Sequence, residues 1–145
     1  MSLEEPIGPI VTRDVRIIDA ETPVRDAAAL MVKEGIGCLV VFSLKGAIGI
    51  VTTRDILRKV TAAGEDPNSL LAKDIMTSPL ISTSILSTVG EAAKLMVKEG
   101  IKRLIVTDDD GGFAGLLTMT DMVRWMASKE QLSDSLMNYL KYEVV

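Results

Sequence analysis

The sequence contains no histidine, a single cysteine and only 3% aromatic residues. Without histidine the chain lacks the commonest general base, the commonest zinc ligand and the usual sensor of mild acid. Neither a metal site nor a catalytic group is expected. Cys38 has no partner for an internal disulfide, which points to a reducing compartment. The scarcity of aromatics argues against base-stacking platforms. The balance of 16 basic and 20 acidic residues gives a formal charge of -4, opposite in sign to a protein that tracks a phosphate backbone. No nucleic-acid polymer is expected as a partner. No apolar run approaches the roughly 18 residues that cross a bilayer. The opening Met1-Ser2-Leu3-Glu4-Glu5-Pro6 lacks the basic-then-apolar character of a signal peptide, so the expectation is a cytoplasmic protein with no membrane attachment.

What is present is enough apolar material for a core: 48% of 145 residues are hydrophobic and 25% are charged. At this size roughly 68% of the unfolded chain's surface is buried on folding, so no disulfide or metal is needed for support.

The sequence is also written twice. Leu30-Met31-Val32-Lys33-Glu34-Gly35-Ile36 recurs residue for residue as Leu95-Met96-Val97-Lys98-Glu99-Gly100-Ile101, 65 positions further on. After one inserted residue the offset becomes 66, carrying Gly49-Ile50-Val51-Thr52 to Gly115-Leu116-Leu117-Thr118 and Asp55 to Asp121. Internal periodicity of this kind marks a duplicated structural unit. The expected organisation is a first repeat over 8–64, a second over 69–128 and a helical tail over 129–145.

Both copies carry the same local signals. Thr22-Pro23 predicts a helix start, with Val24, Ala27, Ala28 and Met31 on its apolar face and Gly35 as its stop. In the second copy Ser87 or Thr88 caps, Glu91 strengthens the first turn, and Gly100 stops the helix. Cys38–Phe42 and Leu104–Val106 read as strands, each leading through turn residues into a second apolar run, Ala47–Val51 or Phe113–Leu117. A last helix follows over Thr53–Thr61 or Met119–Ala127, with Ile56, Leu57 and Val60, or Met122, Val123 and Met126, at helical spacing. Leading strands at Val15–Ile18 and Leu80–Ser82 complete a β-α-β-β-α order in each copy. Leu132, Leu136, Tyr139 and Leu140 suggest a terminal amphipathic helix. The fold class is α/β (α+β): two pseudo-symmetric repeats packed through their sheets, because a unit of about 60 residues buries too little surface alone.

The residues that can carry chemistry sit where the third strand of each copy meets its last helix: Thr52-Thr53-Arg54-Asp55 and Thr118-Met119-Thr120-Asp121. Thr followed three positions later by Asp is a capping-box pattern, and a cap is one reading of it. The other uses the same geometry for a ligand. A helix N-terminus favours an anion, and a carboxylate beside it can accept the two hydrogen bonds of a ribose diol, as an acidic residue does in dinucleotide-binding folds. Asp108-Asp109-Asp110-Gly111-Gly112 puts glycine and phenylalanine where a calcium loop needs a ligand and then its turn glycine, and reads as a hairpin turn. Met31, Met96, Met119, Met122 and Met126 fall on apolar helix faces as filler, and Cys38 reads as a small buried hydrophobe.

The duplicated β-α-β-β-α unit, the two Gly-apolar-apolar-Thr-x-x-Asp ends, and Asp74-Ile75-Met76-Thr77-Ser78-Pro79 before the second copy together resemble the CBS domain family, as a tandem pair over about residues 8–128. The resemblance implies a flat pair, often called a Bateman module, that commonly forms homodimers and binds adenosine-containing ligands in clefts between its copies. AMP, ADP, ATP and S-adenosylmethionine are the ligands implied. Carried onto this sequence, one cleft uses Thr118, Thr120 and Asp121 for ribose and phosphate, with Lys102 and Arg103 as the basic pair near the phosphates. Val11, Arg16 and Ile17 form its opposite wall, with Gly37 and Cys38 bordering the base; Arg16 also reads as an outward strand residue. The second cleft uses Thr52, Arg54 and Asp55 with Met76, Thr77, Pro79 and Ile81. Its counterpart of Lys102-Arg103 is Gly37-Cys38, for which Arg54 can partly substitute, so the Thr118/Asp121 cleft ranks first for a phosphorylated ligand, although Lys102 and Arg103 also read as the polar start of a strand. The function implied is regulatory, with no cofactor required and an unidentified protein as the regulated partner. The alternative is a ligand-independent dimerisation scaffold in which Thr and Asp only cap helices.

Overall fold

A computed structural model describes residues 3–78 and 80–129. The expected tail helix and Pro79 lie outside the described residues. The chain divides into two compact units, one formed by Val15–Leu80 and the other by Met1–Asp14 together with Ile81–Val145. In the first unit β1 (Ile17–Asp19), α1 (Val24–Glu34), β2 (Cys38–Ser43), β3 (Gly46–Thr52), α2 (Thr53–Ile56) and α3 (Ala72–Ile75) follow in order. The second has β4 (Ser82–Ser84), α4 (Val89–Glu99), β5 (Arg103–Thr107), β6 (Phe113–Thr118) and α5 (Met119–Lys129). Each unit holds one three-stranded sheet, ordered β1-β2-β3 or β4-β5-β6. The outer pair is parallel in β1/β2 and β4/β5, and the hairpin pair is antiparallel.

The leading strands lie about two residues later than their apolar content suggests. Parallel pairing sets them: Ile17, Ile18 and Asp19 stand beside Val40, Val41 and Phe42, while Ser82, Thr83 and Ser84 stand beside Ile105, Val106 and Thr107. Gly35 and Gly100 end α1 and α4 at φ 64° and 65°, a left-handed conformation that glycine adopts without a Cβ penalty. The amides of Ile36 and Ile101 then close back on the carbonyls of Met31 and Met96 at 3.0 Å.

The two helix starts differ from expectation in one respect. Thr88 caps α4, accepting from the Glu91 amide at 3.1 Å. Thr22 does not cap α1; Pro23 occupies the cap position and has no side-chain acceptor. The free amides are met by backbone instead. Val24 donates to Leu70 O at 2.8 Å and Arg25 to Pro67 O at 3.1 Å. The same device serves α4, where Val89 donates to Glu5 O and Gly90 to Leu3 O, both at 2.8 Å. Each unit is therefore closed by the segment that precedes the other copy's repeat: residues 3–14 belong with the second repeat and 66–80 with the first.

One core gathers Val24, Ala27, Met31, Leu39, Val51, Val60 and Ile75, and the other Val89, Ala92, Met96, Leu104, Leu117, Met122 and Trp125. Three residues expected on apolar faces are instead exposed: Leu57 (61%), Met119 and Met126. At Leu57 the cause is the helix itself, because α2 continues as a wider π turn over Leu57–Thr61 in which the Ala62 amide reaches back five residues to Leu57 O at 2.8 Å. In α5, which is a regular α-helix, Trp125 takes the inward position and Met126 turns outward. Among the described residues no helix is long and apolar enough to cross a membrane. The Asp108 carboxylate is engaged within its hairpin, accepting from the amides of Asp110 and Gly112 at 3.0 and 2.8 Å.

Candidate functional site

Both strand-to-helix junctions are capping boxes, formed because the strand delivers a threonine in extended backbone just before three helical residues end on aspartate. At the end of β3 the Thr52 amide donates to Asp55 Oδ2 at 2.9 Å and the Asp55 amide donates to Thr52 Oγ1 at 3.2 Å. At the end of β6 the Thr118 amide donates to Asp121 Oδ2 at 2.9 Å and the Asp121 amide to Thr118 Oγ1 at 3.0 Å. The first helical amides are also taken, Thr53 by Gly37 O and Met119 by Lys102 O. An anion at either helix start therefore finds fewer open amides than an isolated helix end presents.

Each box is met by an arm of its own unit. Thr12 pairs with Leu116 through two backbone hydrogen bonds of 2.9 Å, and Thr77 pairs with Ile50 through bonds of 2.8 and 3.1 Å. Glycine makes the approach possible. A Cβ on Gly115 would stand 2.5 Å from Thr12 O and 2.6 Å from Val11 Cγ1, and a Cβ on Gly49 would run into the Met76 side chain. The arms place a threonine hydroxyl on each aspartate: Thr12 Oγ1 donates to Asp121 at 3.2–3.3 Å, and Thr77 Oγ1 to Asp55 Oδ1 at 3.1 Å.

Beyond this shared frame the two carboxylates diverge. Asp55 is buried, at 5% exposure, and receives two further donors: Thr52 Oγ1 at 3.1 Å and the Lys59 ammonium at 3.2 Å. Thr52 N–H, Thr52 Oγ1, Thr77 Oγ1 and Lys59 Nζ together match the roughly four acceptor positions of a carboxylate. Asp121 is half-buried, and among the described residues its side chain accepts only from Thr118 N–H and Thr12 Oγ1, with no cation beside it. Acceptor capacity remains there. In the same unit, Arg103 of β5 stands opposite Thr118 of β6. Among the described residues the buried Arg103 Nε has no hydrogen-bond partner. A buried orphan donor on a guanidinium is costly unless something accepts from it.

Of the residues expected in the first-ranked cleft, Thr118, Thr120, Asp121, Lys102, Arg103 and Val11 fall in the unit closed by residues 3–14. Lys102 is exposed and Val11 is buried. Arg16, Ile17, Gly37 and Cys38 belong to the Val15–Leu80 unit, where Arg16 pairs with Glu34 at 3.4 Å and Cys38 stands opposite Thr52 in the β2/β3 register. Of the second set, Thr52, Asp55 and Thr77 converge, Met76 covers Gly49, Arg54 is exposed, and Ile81 belongs to the other unit. Two contributors lie outside the expected sets. Thr12 is betrayed by the 65-residue offset from Thr77, and Lys59 by its i, i+4 spacing from Asp55.

Two β-α-β-β-α units, each ending in a Thr/Asp box met by an arm threonine, define a tandem-repeat module. A sequence model of the CBS domain matches residues 7–62 and again 72–128, and the chain belongs to the CBS domain family. An uncharacterised protein of Methanopyrus kandleri is 38% identical over 119 residues, which takes in 81% of this chain and spans 61% of that relative's length. The crystal structure of an uncharacterised conserved protein from Pyrococcus horikoshii superposes with a TM-score of 0.78 at 28% identity, covering 92% of this chain and 98% of that one. The CBS domain of a bacterial CNNM/CorC family Mg2+ transporter, solved in complex with ATP, has a TM-score of 0.74 at 24% identity over 84% of this chain and 87% of that one, a likeness of fold.

Proposed function

We propose that this chain is a regulatory module that senses an adenine nucleotide, AMP, ADP or ATP, or S-adenosylmethionine, at the Thr118–Asp121 box. The observation that carries this reading is the presence in one unit of Asp121, a fixed carboxylate with acceptor capacity left, and of Arg103, opposite Thr118, whose buried Nε has no partner among the described residues. A ribose diol donates to the first; a phosphate or carboxylate oxygen accepts from the second in a charge-assisted bond. Lys102 adds a second, exposed cation. What supports a binding role is that the carboxylate is held by the Thr118 amide and the Thr12 hydroxyl, and that the Met119 amide is taken by Lys102 O.

The Thr52–Asp55 box is the weaker site on the same argument, because its carboxylate is fully engaged and Gly37-Cys38 supplies no cation. In this proposal ligand binding alters the geometry of a homodimer and so its contact with a regulated protein; that response requires different affinities for two states. Calorimetric titration with AMP, ATP and S-adenosylmethionine tests it, with Asp121→Ala as control. Heat with one of these ligands in the wild type, lost in the variant, is the expected result. A ligand at 100 times its Kd raises stability by about 2.7 kcal/mol, so a melting temperature unmoved by all three overturns the reading. A ligand-independent dimerisation scaffold is the second reading, favoured by the observation that both Thr/Asp pairs are complete helix caps.

A further inference from the structure

The duplication supplies its own comparison, because the two boxes share Thr, Asp and arm threonine, and among the described residues a lysine bridges to the aspartate in one of them. Lys59 stands 66 positions before Trp125. Trp125 lies in the core of its unit, and among the described residues no cation bridges to Asp121. Lys59 turns instead toward the box, where its Nζ sits 3.2 Å from Asp55 Oδ1 and donates to Ile75 O at 2.8 Å. The π turn over Leu57–Thr61 fits this arrangement, since it brings Val60 rather than residue 59 into the core. A cation held by two acceptors, one of them a buried carboxylate, is not readily displaced by a neutral sugar hydroxyl.

We propose that Lys59 is a specificity residue: it occupies Asp55 as an internal cation, closes that box to the ligand taken at Asp121, and so limits the chain to one ribose-recognising box of the two. This rests on the reading of Asp121 given above, and it adds a role for Ile75 O, which fixes the ammonium from α3. The box at Asp55 then works as a structural rivet joining α2 to α3.

Adenosine is the probe, because it carries the ribose diol without a phosphate and so reads the carboxylates apart from Lys102 and Arg103. Backbone amide shifts of the full chain in millimolar adenosine report each box separately. The wild type is expected to respond at Thr118–Asp121 and to stay silent at Thr52–Asp55. Lys59→Ala removes both the ammonium and the stem over Asp55, and should add a saturable shift at Thr52–Asp55; Lys59→Arg, which keeps the charge, should not. A well-folded Lys59→Ala that stays silent at Thr52–Asp55 overturns the proposal, as does a wild type that already responds there. If Lys59→Ala does not fold, Lys59→Gln replaces it with the same two outcomes. Silence at Thr118–Asp121 with a response at Thr52–Asp55 in Lys59→Ala leaves the role of Lys59 standing and removes the reading of Asp121.

Discussion

Replacing each box aspartate by alanine gives two variants that are equivalent in sequence and unequal in consequence. Asp121→Ala removes the return half of a capping box at a half-buried position, and loss of a cap costs about 1 kcal/mol. Asp55→Ala removes the same bond and more. Each variant strips an arm hydroxyl, Thr12 or Thr77, of its acceptor, but at Asp55 the Thr52 hydroxyl and the Lys59 ammonium, at 3.1 and 3.2 Å from the carboxylate, lose theirs too. Breaking a fully buried ion pair costs about 3–5 kcal/mol. Lys59 keeps 38% of its side-chain surface and a second acceptor in Ile75 O, so a discounted total of about 3 kcal/mol applies. For a chain this long each kcal/mol moves the melting temperature by about 3 °C, so Asp55→Ala should lose roughly 9 °C and Asp121→Ala roughly 3 °C. Thermal melts of ligand-free protein, checked by urea midpoints at unchanged slope, measure the difference. Equal losses, or a larger loss at Asp121, would refute the assignment of a structural role to Asp55.

Gly115→Ala should destabilise more than Gly49→Ala, because its Cβ meets backbone at Thr12 O and its φ of 156° disfavours a side chain, whereas at Gly49 it meets side-chain atoms of Met76; comparable midpoints in urea would contradict this. Arg103→Leu should weaken ATP at least tenfold, about 1.4 kcal/mol, while changing adenosine affinity little, since it removes the phosphate's partner and leaves Asp121 in place. Calorimetry with both ligands reads the split, and an equal loss for the two would count against it. Asp66 is held below the usual carboxylate range by the Asn68 amide and then by the Ser69 hydroxyl. A depressed value in the folded state means its contribution is complete above the ordinary carboxylate value and is lost as pH falls through the folded one. Carboxyl chemical shifts against pH should place its midpoint below that of an unstructured aspartate, and a midpoint at or above it would be inconsistent with those bonds.

The duplication, the hairpins and the two glycine stops were legible because each rests on residue type at fixed spacing. The boxes were legible too, since Thr-x-x-Asp after an apolar strand has few other uses. What escaped depended on partners far away in sequence. Ser82-Thr83-Ser84 has no apolar pattern and becomes a strand only by lying beside Ile105–Thr107. The Thr22 side chain does not cap, because Pro67 and Leu70 bring carbonyls to the amides it would have served. Leu57 was misplaced because a π turn changes the period of the helix, and the local sequence carries no mark of it. At the candidate site, residue types revealed both carboxylates but not which was already engaged. That depended on Lys59 reaching Asp55 and Ile75 together, and on Trp125 turning into the core instead.

The exchange of leading segments also bears on how the chain folds as it is made. The Val15–Leu80 unit is contiguous, so all of its internal contacts can form once residue 80 has left the ribosome. The other unit must join residues 3–14 to a sheet and helix that begin at Ile81, closing a loop around a complete intervening unit. Such closure is slower, because sequence-distant contacts lose more chain entropy before they are rewarded. The order of synthesis thus predicts that the rivet-like box at Asp55 is in place while Thr12 still waits for Leu116. The Thr118–Asp121 box would be the last part of the fold to be assembled, and the first to open when the N-terminal segment lets go.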